Sequence, residues 1–330
     1  MFTKNNPDST NASIIATLTT AFFLSIILLK VKSPVMLLAE RFFPGAGWSE
    51  IILLSLYAGW ITEKLINPSM TPVIRRRIWL FFSIVFFTQL ALGLAGIEKL
   101  LMTGKLHLPV PALIIAGPLF RGENFFMLIL FFSTVIICGP AWCSYLCYIG
   151  AWDNVSSLNQ KHPTPLPSWK NTARLIIFMI IVISSLSFRF IGIPGITATL
   201  FGGLVGLIGI GIMVFISRKK GVMVHCSGYC PIGLLADTFG KISPFRLKIN
   251  SNCTGCGACQ ASCRYNALNK KDIESHKPGF TCTLCGDCLH RCHEKAIEYS
   301  FLKFNPETAR KVFLVILVSL HAIFLGVARL

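Results

Sequence analysis

Seven stretches of this chain are apolar over the length a helix needs to cross a bilayer, about 20 residues. They are 12–31, 48–67, 78–97, 124–141, 174–194, 196–217 and 312–328. No other feature restricts the fold as much, because a segment in lipid must satisfy its own backbone hydrogen bonds, as a helix does. Composition agrees: 53% of residues are hydrophobic and 14% charged, against about 25% charged in ordinary soluble domains. The weakest stretch is 48–67, framed by Glu50 and Glu63. Residues 108–120, LPVPALIIAGPLF, are apolar but short and carry three prolines; they are expected to be re-entrant or interfacial. Gly202, Gly203, Gly206, Gly209 and Gly211 in the sixth stretch let helices approach closely. Trp48, Trp79, Trp142 and Trp169 fall near stretch ends, as interfacial belts do. The polar start, MFTKNNPDSTN, is followed by a run long enough to span, unlike a cleavable signal peptide.

The net charge is +17, from 31 basic and 14 acidic residues. In a membrane protein such an excess sits in cytoplasmic loops and against anionic lipid. No basic patch interleaved with exposed aromatics points to nucleic acid. Arg75–Arg77, Lys161, Lys170, Arg174 and Arg218–Lys220 place their loops inside, against a weaker outer set that includes Lys30, Lys32, Arg41, Lys99, Lys105 and Arg121. Arg189 is expected to snorkel to the outer interface.

Thirteen cysteines stand in this apolar chain. Residues 253–263 read CTGCGACQASC and residues 282–292 read CTLCGDCLHRC, both C-x2-C-x2-C-x3-C. This is the bacterial two-cluster ferredoxin spacing, in which the fourth cysteine of each run ligates the other cluster. One [4Fe–4S] cluster is therefore expected on Cys253, Cys256, Cys259 and Cys292, and a second on Cys282, Cys285, Cys288 and Cys263. A structural zinc site needs only four ligands and usually a longer gap between pairs. Arg264 and His293 stand where a proline often follows the fourth cysteine. The gap between the runs holds Lys270, Lys271 and Lys277 and reads as a solvated loop. CLHRCH is one residue too long for haem attachment. Two oxidised cubanes lower the formal charge to about +13.

An octapeptide frame occurs twice, CSYLCYIG at 143–150 and CSGYCPIG at 226–233. Each copy follows a pair of apolar stretches, so both share one membrane face with the cysteine-rich segment. Parallel repeats place shared sites at their interface. Residues four apart share a helix face, so Cys143, Cys147, Cys226 and Cys230 are candidate ligands for a further iron–sulfur or tetrahedral metal site. Packing, a dithiol role or a docking role suits them equally. Cys138 reads as buried filler. His321, mid-stretch, is expected to hydrogen-bond or pack. His225 could tune Cys226 or serve as a ligand. His107 and Arg121 bracket the proline-rich stretch, a candidate quinol pocket.

These motifs resemble the NapH, NosR and CcoG group of membrane polyferredoxins, over roughly residues 75–300. The second octapeptide matches that family's C-x3-C-P motif, whereas Tyr148 replaces the proline in the first. No flavin-binding domain of the NosR type is seen. The resemblance implies electron transfer between quinol and a respiratory partner, or the assembly of copper enzymes.

The expected fold is a polytopic α-helical membrane protein of six to seven spans with an α+β bacterial 2[4Fe–4S] ferredoxin-like domain. Its expected segments are a membrane domain at 1–221, the ferredoxin-like domain at 222–303 and a last helix at 304–330. The expected role is an electron-transfer subunit of a quinol-linked oxidoreductase, with periplasmic or cytoplasmic oxidoreductase subunits as partners. It would lie in the bacterial cytoplasmic membrane with the ferredoxin domain in the cytoplasm. A maturation factor that reduces or delivers metal to a copper enzyme, and a redox sensor, are the alternatives.

Overall fold

The computed structural model describes residues 7–100 and 108–327, with side chains from residue 10 onward. Lys105, His107 and Ala328 lie outside the described residues. In chain order the helices are α1 Pro7–Lys30, α2 Leu38–Phe42, α3 Gly47–Ile66, α4 Thr71–Leu94, α5 Leu113–Arg121, α6 Phe126–Cys138 and α7 Trp142–Tyr145. There follow α8 Tyr148–Ser157, α9 Lys170–Ile191, α10 Gly195–Gly211, α11 Arg218–Lys220, α12 Pro231–Phe239, α13 Lys270–Glu274 and α14 Pro306–Gly326. Two strands, β1 Phe245–Ile249 and β2 Ile297–Phe301, pair antiparallel.

Among the described residues six helical segments are long and apolar enough to cross a membrane: Thr10–Lys30, Thr71–Leu94, Phe126–Tyr145, Lys170–Ile191, Gly195–Lys220 and Pro306–Gly326. The stretch 48–67 does form a 20-residue helix, α3. It is not one of the six, because Glu50, Glu63 and Lys64 load it with charge. The Glu50 side chain has a local task, accepting the Ala39 amide at 2.8 Å.

The chain forms two compact units, Met1–His107 with Lys303–Leu330, and Leu108–Leu302. In the first unit α1, α3 and α14 pack on small residues. Ala12 and Ala16 bury against Val315. Ser13 donates to the Gly59 carbonyl at 2.9 Å, and a side chain at 59 would meet Ser13 and Thr17. Small residues of this kind let helix backbones come close where the hydrophobic effect gives no drive. Helix α14 begins at Asn305, whose side chain accepts the Thr308 amide at 2.8 Å, with Pro306 in the first turn. One turn on, Arg310 donates to the carbonyls of Ile66 and Leu65 at 2.5 and 2.7 Å and to Thr71 Oγ1 at 2.9 Å. It thereby satisfies the carbonyls left open where α3 ends. Arg310→Ala should cost about 2–3 kcal/mol, the scale of hydrogen bonds to a charged donor, read as a lower thermal midpoint in detergent.

The second unit contains the prolines of 108–120. Helix α5 has only nine residues and Pro118 inside it, so it cannot span. A side chain at Gly202 would meet Leu113 at 2.9 Å, and one at Gly206 would meet Val110 at 2.6 Å. The glycines of α10 therefore give room to this short segment. Arg189, in the last turn of α9, lays its guanidinium against Gly122. The tryptophans divide. Trp48 and Trp169 are exposed, as belt residues would be. Trp79 and Trp142 are buried, Trp79 under the guanidinium of Arg75 and Trp142 edge-on to Phe131 at 4.9 Å. Arg75 is itself fully buried rather than a free loop charge.

Candidate metal centres

The cysteine-rich segment is bracketed by the ribbon of β1 and β2, in register from Phe245 opposite Phe301 to Ile249 opposite Ile297. Alternation places Phe245, Leu247, Ile249, Ile297 and Tyr299 on the buried face. Between the strands the two cysteine runs fold alike. In each, the third and fourth cysteines flank one 3-10 turn, Gln260–Ser262 or Leu289–Arg291. The Sγ of Cys263 accepts the Ala267 amide at 3.3 Å, and that of Cys292 accepts the Ala296 amide at 3.2 Å. Positive φ recurs at matching places: Gly255 and Gly257 in the first run, Leu284 and Gly286 in the second. Such left-handed turns aim backbone N–H groups into a concavity suited to an anionic group. A leucine resists that conformation. Leu284 is held there by Tyr299, whose hydroxyl donates to its carbonyl at 2.6 Å.

This duplication brings together the thiols that the sequence groups across the runs. Cys253, Cys256, Cys259 and Cys292 line one pocket, with Ile249, Ile273 and Ile297 as its apolar wall. Cys282, Cys285, Cys288 and Cys263 form the other group; Cys288 lies in electrostatic range of the other three. Among the described residues no three His, Cys, Asp or Glu groups converge on a point fit for a single metal ion. Each donor set is four cysteine thiols, soft ligands at the doubled tight spacing that suits a cubane better than zinc. Burial pushes the Cys259 thiol up to about 11, and Cys292 and Cys253 push the same way. A bound metal would reverse this by taking the thiolates.

The groups differ in exposure. Each has one buried thiol, Cys259 or Cys288, but only the first has an exposed one, Cys256. The second group is also the one bonded to the membrane-edge helices. Tyr145 donates to the Cys285 carbonyl at 3.1 Å, Ser144 to the Thr283 carbonyl at 3.2 Å, and Tyr265 to the Cys143 carbonyl at 3.3 Å. Lys170 donates to the Asn266 carbonyl at 3.1 Å. Arg264 is committed to structure: its Nη1 donates to the carbonyls of Gly221, Gln160 and Ser157 at 2.7, 2.8 and 3.3 Å. His293 lies at the rim of the first pocket. The loop between the runs holds α13, capped reciprocally by Asn269 and Asp272, and Lys270 stands in solvent.

The two octapeptides meet in this unit. Cys143, Cys147 and Cys230 are buried and Cys226 half-buried; Cys226 lies in electrostatic range of the other three. Cys138 donates to the Thr134 carbonyl at 3.0 Å, as buried filler would. The His225 ring packs on Gly209 and tilts against Tyr229 at 5.4 Å. In the first unit, His321 is fully buried, 3.1 Å from the Tyr57 hydroxyl and 5.3 Å from the Phe82 ring. Sequence reading had passed over Asp153, Asp237, Tyr145 and Tyr265. The aspartates carry a signal, because each follows an octapeptide within a short apolar helix, YIGAWD and PIGLLAD.

The 4Fe-4S binding domain family matches the chain at residues 119–159 and 200–250. These segments hold one octapeptide each. A relative is the uncharacterized protein MJ0750 of Methanocaldococcus jannaschii, 22% identical over 238 residues, 67% of this chain and 91% of the relative. No solved structure matches. With the cysteine runs and the six apolar helices, the match supports a membrane iron–sulfur protein of ferredoxin type.

Proposed function

We propose that the chain is a membrane-bound electron relay with two [4Fe–4S] clusters, one on Cys253, Cys256, Cys259 and Cys292 and one on Cys282, Cys285, Cys288 and Cys263. The observation that carries this is the presence of two four-thiol groups, one with an exposed cysteine, Cys256, and one bonded to the membrane-edge helices. Bound cubanes supply one-electron chemistry. The chain's own residues hold and insulate them. The exposed loop around Cys256 is the face for a redox partner protein, and Tyr145, Tyr265 and Lys170 fix the second group against the helices. The electron source in this reading is quinol, in the bacterial cytoplasmic membrane, with the cysteine-rich face in the cytoplasm.

Anaerobic mixing of the purified protein with a water-soluble quinol tests the quinol link. Bleaching of the visible cluster absorption by quinol, to the extent reached with dithionite, is the expected result. Clusters that dithionite reduces and quinol leaves oxidised would contradict it.

A further inference from the structure

The structure assigns a third metal centre to this chain: Cys143, Cys147, Cys226 and Cys230 together hold one iron–sulfur cluster, with Arg174 as its buried counter-ion. Neither matched segment makes the site alone, since each supplies two of the four thiols. The assignment stands apart from the quinol reading and from the ferredoxin ligand sets.

The two octapeptides are one structural device used twice. The Cys147 amide donates to the Trp142 carbonyl at 3.0 Å, and the Cys230 amide to the His225 carbonyl at 2.7 Å. Both bonds reach back five residues, a widened turn of the kind found at functional sites. Cys147 and Cys230 then take extended backbone, φ −80° and −67°, at the N-caps of α8 and α12. Each thiol meets the first free amides of its helix, Ile149 and Gly150 for Cys147, and Ile232 and Gly233 for Cys230. Amides and helix dipole together favour thiolate there. Asp153 ties the copies together, its Oδ2 accepting the Cys226 amide at 3.0 Å. Four thiols from two segments, three buried and one half-buried, are a soft-donor set of the kind that holds a [2Fe–2S] or [4Fe–4S] cluster.

The second observation is independent of the cysteines. Arg174 is fully buried, and its Nη1 donates to Asp237 Oδ2 at 2.8 Å. Among the described residues its Nε and Nη2 find no hydrogen-bond partner. Buried guanidinium N–H groups without partners are costly and rare. Nη2 lies against Gly233, where a side chain would come within 2.7 Å of it, so the glycine lets the guanidinium sit on the turn that carries Cys230. Arg174 acts electrostatically on both Cys143 and Cys230. A metal–thiolate centre supplies anionic acceptors for the two N–H groups that Asp237 leaves unpartnered. The site also adjoins the second ferredoxin group: Asp237 acts on Cys143 and on Cys282, and Tyr265 bonds to the Cys143 carbonyl.

Iron and acid-labile sulfide per chain, on the anaerobically purified full-length protein, test the assignment. About ten irons are expected for a binuclear third cluster, or about twelve for a cubane. Cys147→Ser and Cys230→Ser should each lower the count to about eight and leave the ferredoxin signals in place. Wild-type protein with only eight irons would overturn the third centre while leaving the two-cluster reading intact. So would serine variants that keep the full wild-type count. Should those variants fail to fold, redox titration of Arg174→Gln made in an Asp237→Asn background, read against Asp237→Asn alone, decides the counter-ion role. One centre should move to lower potential while the other two hold. Potentials unchanged at every centre would overturn the role given to Arg174.

Discussion

Cys288→Ala is expected to remove one cubane from the purified protein and to unfold the segment between β1 and β2. Cys288 is buried at the heart of the second thiol group, in range of Cys282, Cys285 and Cys263. The segment has little else to hold it. Its regular structure is one five-residue helix and two 3-10 turns. Metal binding in small thiolate sites contributes on the order of 10 kcal/mol, and that binding energy is folding energy. The loss of a small buried side chain is worth far less, about 1 kcal/mol. Four irons should therefore be lost, with new proteolytic cuts between residues 250 and 296. Cys256→Ala should cost the same iron with less unfolding, because Cys256 is exposed at the rim of its pocket. Wild-type protease resistance in Cys288→Ala would show that packing, not metal, holds the loops.

Arg174→Ala has the second large effect. It leaves the Asp237 carboxylate in a site where both side chains are almost wholly buried. Removing one partner of a buried ion pair costs about 3–5 kcal/mol, chiefly through the orphaned charge. For a unit of this size that is on the order of 10 °C in thermal midpoint. The paired change Arg174→Gln with Asp237→Asn removes both charges and should recover most of the loss. The pH dependence follows from the carboxyl. Burial already raises Asp237 to about 6, and Arg174 is the main group opposing that rise. Without the guanidinium the folded state favours the protonated acid still more. A folded pKa above the unfolded one means that stability falls as pH rises through this window. The defect should therefore be largest above about pH 8 and smaller near about pH 5. A single variant as stable as wild type at every pH would remove the ion pair from this account.

What could be read from the sequence follows from the range of the forces involved. Apolar length marks helices directly, so α1, α4, α9, α10 and α14 could be read from residue type alone. Helix α3 shows the limit: Glu50 looked like a flaw in a span and is a ligand for the Ala39 amide. The cysteine spacings named two ligand groups because the loop geometry is local, and the strands then place the runs side by side. Asp237, the partner of Arg174, is 63 residues away in sequence, and no local pattern pairs them. The burial of Trp79 and Arg75 is illegible for the same reason, since it depends on packing that periodicity does not encode. Arg264 stands in the proline position after its cysteine run; its three carbonyl partners, Ser157, Gln160 and Gly221, are 107, 104 and 43 residues away in sequence.

The central claim is that this chain carries reducible iron–sulfur clusters at a membrane surface. Low-temperature EPR of anaerobically purified protein, before and after dithionite, with iron and sulfide counted on the same sample, tests it most directly. The account predicts iron and sulfide in equal number, at least eight of each, and cubane signals that appear on reduction. Zinc in place of iron, or iron without sulfide and no signal on reduction, would contradict it.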